Sequence, residues 1–156
     1  MATEDALVTG RALPISTKAS VEICHTVRHM DLQKAKELLD KVIKEKQPIA
    51  YKRFNRDLSH KKNIGPGRYP VKTAKMIKML LESVEANAQF KGLNTSLLTI
   101  SHIAAHQASR PFRFGRQRRR KAKRTHITIK VEEQKKKEQQ PEKKETPTKP
   151  KAEKND

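Results

Sequence analysis

The sequence predicts an α+β fold, and three observations carry that prediction. Apolar residues recur at helical spacing in three separate stretches of the 156-residue chain. Two later stretches, LLTISHIAA and HITIKV, instead alternate as half-buried strands do. Between them lies a basic segment without an acid, so the two strands are expected to pair antiparallel and extend into a long hairpin or loop. Hydrophobic residues make up 34% of the chain and aromatics 4%, enough for one domain with a small core but not a large one.

Ala12-Leu13-Pro14-Ile15 reads as a short strand with Leu13 and Ile15 on one side. Pro14 confines it to a sheet edge, because it has no N–H to give to a ladder. Ser16 is placed to cap a helix through about Val27, in which Ala19, Ile23 and Val27, with Met30 beyond, make one apolar stripe. Asp31 is placed to cap a second helix carrying Leu32, Ala35, Leu38, Leu39, Val42 and Ile43, and Pro48 lies just past its end. Residues 49–70, IAYKRFNRDLSHKKNIGPGRYP, change character, and Gly65, Pro66, Gly67 and Pro70 are expected to break any regular element. Pro70 also suits the first turn of a third helix. Val71, Ala74, Ile77, Leu81, Val84 and Ala88 line its core face, with Met76 and Met79 as core filling, while Lys72, Lys75 and Lys78 fall largely off the stripe. Gly92 stops that helix, with Lys91 beside it favouring the helix dipole.

In the first strand-like run, Leu98, Ile100, His102 and Ala104 are expected on one face, against Leu97, Thr99, Ser101 and Ile103. In the second, Ile127, Ile129 and Val131 oppose Thr128 and Lys130. From Glu132 onward the chain is Lys, Glu and Gln with three Pro and no aromatic, too little apolar surface to order itself.

Charge narrows the function. The formal net charge is +19, yet from Glu132 onward eight lysines meet seven acids, so +18 of the excess sits on residues 1–131. Self-repulsion on that scale opposes compactness, and a phosphate backbone would neutralise it while releasing counterions. No stretch approaches the apolar length of a membrane span, and MATEDALVTG lacks the basic-then-apolar form of a secretory signal. Cys24 is alone, which leaves no internal disulfide and no partner for a Cys-based zinc site, and fits a reducing intracellular compartment. His102 and His106 are four apart on strand-like sequence, where a shared metal-binding face does not follow. No nucleophile arrangement is legible, Glu82 and Glu85 read as solvated helix positions, and neither GxxxxGK[ST] nor GxGxxG occurs. Neither an enzyme nor a cofactor is expected.

The densest charge is in SRPFRFGRQRRRKAKRT. Arg110, Arg113, Arg116, Arg118, Arg119, Arg120, Lys121, Lys123 and Arg124 are packed there with no acid among them. A solvated face or a disordered tail would also be charged, but this cluster is internal and holds Phe112 and Phe114 among its arginines. Aromatics so placed can stack on unpaired bases while guanidinium forks grip phosphates. A second basic surface is expected from Lys52, Arg53, Arg56, Lys61, Lys62, Arg68 and Tyr69, with Gly65 and Gly67 letting the main chain approach phosphates. Lys18 and Arg28 are further candidates from the first strand–helix region. Charge alone allows RNA or, as an alternative, the duplex bound by a DNA-architectural basic protein.

Several ordered motifs then resemble a known family: LPISTKASVEI, KQPIAYKRFNRDLSHK, GPGRYPVKTAKMI, ESVEANAQFKGL, ISHIAAH, PFRFGR and THITIKVEE. From about Gly10 to Glu133 the chain is similar to the universal large-subunit ribosomal protein family numbered twenty-two in bacteria and archaea and seventeen in eukaryotes. GPGRYPVK and the EANAxxKGL pattern resemble its archaeal branch. The resemblance implies one domain over residues 1–133, in which three helices pack on a three-stranded antiparallel sheet and a long hairpin over about 97–131 projects. Residues 134–156 form a charged tail. It also implies a cytoplasmic ribosomal constituent that binds large-subunit ribosomal RNA, touches neighbouring large-subunit proteins, and lines the exit tunnel beside the nascent polypeptide. No membrane, cofactor or homo-oligomer is implied. Only Gln107, Ala108, Ser109 and Arg110 separate His106 from Pro111, fewer than in the family pattern, so a shortened ascending arm is expected, and Phe112-Arg113 replaces the family's Arg-Ala.

Overall fold

A computed structural model describes residues 5–133. The charged tail expected over 134–156 lies outside the described residues. The elements run β1 (Asp5–Leu13), α1 (Thr17–Val27), α2 (Leu32–Ile43), β2 (Ile49–Ala50), β3 (His60–Lys61), β4 (Gly65–Arg68), α3 (Val71–Phe90), β5 (Leu98–Gln107) and β6 (Thr125–Glu133). The main sheet has the order β1-β6-β5 with both pairs antiparallel, and the helices supply the rest of the core. This is the expected α+β architecture of three helices and a three-stranded sheet.

The sequence pattern explains the central position of β6. Ile127, Ile129 and Val131 are fully buried while Thr128 and Lys130 between them are half-buried, so one face seals the core and the other stays near solvent. Strand β1 differs from expectation. It starts at Asp5 and ends at Leu13, immediately before Pro14. The strand does lie at the edge of the sheet as expected, but proline stops it instead of sitting within it, and the residues that pair with β6 are those upstream, such as Val8 with Ile129. At Gly10 an added Cβ would lie 2.9 Å from the Cδ1 atoms of both Leu13 and Leu80, so the ends of these leucines fill the space over the glycine where α3 meets β1. At the β1 end of the sheet, Lys130 Nζ reaches Asp5 at 3.1 Å and Glu132 at 3.0 Å. The hydrogen bond from Lys130 is the main reason both carboxyls titrate below their ordinary range.

Strict alternation in β5 does not hold either. Ile100 pairs with Val131 but His102 pairs with Lys130, so Ser101 is an extra residue in a bulge. The bulge switches the phase: Ile103 is buried and His102 exposed, the reverse of the expected faces. The outer edge of β5 is occupied at this point. The His29 N–H donates to the Ile100 carbonyl at 3.0 Å, and the Ile100 N–H donates to the Met30 carbonyl at 3.0 Å. His29 adopts φ 63° to make that corner between α1 and α2.

Residues 49–70 hold regular structure after all. Strands β2, β4 and β3 form a small sheet in that order, and the GPGR that was expected to break structure is its central strand. Pro66 lacks a donor but still accepts, from the Tyr51 N–H at 2.9 Å. Gly67 is buried, with the place of its missing Cβ 3.0 Å from the Ile49 carbonyl oxygen. Strand pairing gives that glycine a structural reason of its own.

The helices fall where their periodicity puts them, with Ile23, Val27, Leu39, Val42, Ile77, Leu81 and Val84 buried among them. Two side chains depart. Met79 is 58% exposed rather than core filling, and Glu85 is not merely solvated, since it pairs with Lys36 and accepts from Gln33 Nε2 at 2.8 Å to tie α3 to α2. Cys24 is buried, and burial pushes its thiol up to about 12, with only partial opposition from the Arg28 charge. Such a thiol is inert near neutral pH.

Candidate nucleic-acid interface

The hairpin continues beyond the sheet as a narrow two-stranded ribbon. After Gln107 pairs with Thr125, the Ala108 N–H donates to the Arg124 carbonyl at 3.1 Å and the Ala122 N–H to the Pro111 carbonyl at 2.8 Å. Phe112 bridges Lys121, and the Arg113 N–H donates to the Arg120 carbonyl at 2.8 Å. A single 3₁₀ turn over Gly115–Gln117 closes the tip, with Gly115 at φ 66°, a conformation that glycine adopts without strain. These backbone bonds tie the two arms together, and the side chains are left outside.

Every residue from Ser109 to Lys121 is exposed. Arg110, Arg113, Arg116, Arg118, Arg119, Arg120, Lys121 and Lys123 project there, and none forms an ion pair among the described residues. Phe114 is 95% exposed and Phe112 64%. Lys121 Nζ lies 4.9 Å from the Phe112 ring centre, so Phe112 braces the two arms while Phe114 is free to stack. Arg124 behaves differently from its neighbours. It is half-buried, and its Nη1 donates to the Ala12 carbonyl at 3.1 Å, which fixes the root of the hairpin to the end of β1.

The second basic surface is organised by a residue the sequence reading passed over. Glu22 on α1 is 2% exposed, and its carboxylate accepts three backbone N–H groups, from Lys52 at 3.0 Å, Arg53 at 2.9 Å and Phe54 at 2.9 Å. A buried carboxylate is tolerable when so fully hydrogen-bonded. It bends residues 52–54 so that the side chains of a basic segment point outward. Lys18 Nζ and the Arg53 guanidinium then sit 5.6 and 5.5 Å from the Phe54 ring centre, and Lys61 Nζ sits 5.5 Å from that of Tyr69.

These parts enclose a cleft of about 880 Å³ between the starts of α1 and α3, the 51–58 segment and the hairpin root. Lys18, Arg53, Arg56, Arg68, Lys72 and Lys123 line it, against the single acid Asp57. Of the residues expected to bind, the cleft gathers Lys18, Arg53, Arg56, Arg68 and Tyr69, with Lys123 joining from the hairpin. Lys52 and Lys62 are exposed outside it, and Arg28 donates from Nη2 to the Ile103 carbonyl at 3.0 Å, a tie between α1 and β5. Lys72 and Tyr51 belong to the cleft although neither was expected to. Lys72 did leave a signal. Both α1 and α3 carry a lysine and no acid in the first turn, where the helix dipole favours anions. Each of these helices thus begins with a charge that its own dipole disfavours.

Fold and charge placement define the class: a basic α+β domain with a cationic hairpin projecting from its sheet. Residues 8–132 match the family described as Ribosomal protein L22p/L17e, and the chain belongs to that family. Three similar proteins, each named "Large ribosomal subunit protein uL22", come from archaea. The one from Thermoplasma acidophilum is 54% identical over 97 residues, 62% of this chain and 64% of its own length. That from Ignicoccus hospitalis is 41% identical over 131 residues, covering 77% of this chain and 82% of its own. That from Methanopyrus kandleri is 39% identical over 132 residues, covering 79% and 83%. The chain therefore spans a little under two thirds of the Thermoplasma relative and more than four fifths of the other two.

Proposed function

We propose that this protein is a structural constituent of the large ribosomal subunit that binds ribosomal RNA and supports subunit assembly, its hairpin contributing to the wall of the polypeptide exit tunnel. The role is architectural, with no reaction assigned to it. The observation that carries this reading is the ribbon of residues 109–121, exposed throughout, crowded with cations that form no ion pair among the described residues, and tipped by a bare Phe114. Such a surface is unfavourable in free solution and stable where phosphates surround it. Membership of a ribosomal protein family supplies the RNA.

On this reading the hairpin cations neutralise phosphates along the ribbon, Phe114 stacks or wedges, and the cleft cations hold RNA beside the globular body. Lys52, Lys61 and Lys62 add outer phosphate contacts, while Arg28 and Arg124 contribute through the side-chain edges their backbone ties leave open. Neighbouring large-subunit proteins and the passing nascent chain are the remaining partners, and the protein works in the cytoplasm without forming a homo-oligomer. The test compares binding to a transcript of large-subunit ribosomal RNA and to duplex DNA of equal length at several salt concentrations. Tighter binding to the folded RNA at every salt concentration is expected, by about tenfold or more. Equal affinity would favour a DNA-architectural protein instead.

A further inference from the structure

We propose that the cleft between α1 and α3 is the seat of one unpaired nucleotide of the bound RNA, rather than one more patch of phosphate contact. This rests on the RNA-binding reading and adds the form of the ligand. Duplex phosphates meet convex or open surfaces, but a concave site of about 880 Å³ is of the size that receives a single small ligand. Its walls match the parts of a nucleotide. The first turns of α1 and α3 both open into it, each with a lysine, Lys18 and Lys72, and no acid. Backbone N–H groups and two ammonium groups there favour a phosphate. The Arg53 guanidinium, held beside Phe54, offers a planar face on which a base can stack.

An independent observation comes from the floor of the cleft. Tyr51 lines it and is only 7% exposed, yet its hydroxyl has no side-chain hydrogen bond among the described residues. No buried side-chain polar atom among the described residues lacks a partner, so this hydroxyl is not sealed in but opens from an otherwise buried ring. A base edge or a ribose hydroxyl in the cleft can bond it there. Burial and the nearby Glu22 charge keep that hydroxyl protonated, so it can donate, even though Arg68 opposes them.

The experiment uses the full chain at fixed salt and three probes: a short hairpin RNA with one bulged adenosine, the same hairpin fully paired, and adenosine monophosphate as competitor. The bulged hairpin is expected to bind about tenfold more tightly than the paired one. Tyr51→Phe, which removes only the hydroxyl, and Lys72→Ala, at an exposed position, should each reduce that ratio to about threefold or less while both variants keep their melting temperature. Equal affinity for the two hairpins, or a ratio that survives both substitutions, would overturn the inference. So would competition by the mononucleotide at concentrations near the RNA dissociation constant, which would give the cleft to free nucleotides. Failure to bind either RNA would instead overturn the RNA-binding reading, and this inference with it.

Discussion

Replacing Arg118, Arg119 and Arg120 together with glutamine is expected to weaken binding to large-subunit RNA by roughly a hundredfold at physiological salt, from about 1 kcal/mol per lost phosphate contact. The same change should flatten the slope of log affinity against log salt by about 2 to 3, one counterion-releasing contact per residue. The fold should not suffer. All three side chains are exposed, and the turn they flank is held by backbone bonds, Arg118 N–H to the Gly115 carbonyl at 3.1 Å and Arg120 N–H to the Gln117 carbonyl at 2.8 Å. Removing three like charges also relieves repulsion along the ribbon, so the melting temperature should hold or rise slightly. A salt slope equal to that of the parent would show that these arginines do not meet phosphate.

Glu22→Ala should have the largest effect on stability, for the opposite reason: Glu22 touches no ligand but holds a surface in shape. Its loss leaves the N–H groups of Lys52, Arg53 and Phe54 without their acceptor beside a buried cavity. We expect a cost of about 3 kcal/mol, the sum of lost charge-assisted bonds and unmet donors, and a melting temperature lower by about 10 °C. Glu22→Gln should cost about 2 kcal/mol, because its carbonyl can still serve Arg53 and Phe54 while its amide group opposes the Lys52 N–H. RNA affinity should fall in both variants although the protein becomes more positive. That separates a geometric role from an electrostatic one. Thermal stability of Glu22→Gln equal to the parent would contradict it.

The three arginines and Glu22 illustrate what a sequence yields here and what it withholds. The hairpin was legible because three local signals coincide: alternation on either side, no acid between, and Phe112 and Phe114 among the arginines. The helices were legible because one periodicity runs through each of them. Glu22 was not, since its partners are 30 to 32 residues away and are backbone groups, which carry no side-chain signature. The β5 bulge at Ser101 was hidden for a similar reason: the main chain of His29 and Met30 grips the strand edge there, and that contact is set by the corner between two helices. GPGR read as a breaker because glycine and proline usually are. In this fold Gly67 lies so close to the Ile49 carbonyl that a side chain there would push the paired strand back by a few tenths of an ångström. Arg124 and Arg28 were indistinguishable in sequence from the cations around them, and only the nearby carbonyls of Ala12 and Ile103 set them apart.

The most direct test of the central claim is sedimentation of a tagged full-length copy through a sucrose gradient made from cells that express it beside their own ribosomes. The account predicts that the tag migrates with the large subunit and with whole ribosomes at moderate salt. It also predicts that the Arg118, Arg119 and Arg120 triple variant shifts toward the top of the gradient. A tag that remains at the top in the parent protein, or a triple variant that co-migrates as fully as the parent, would contradict it.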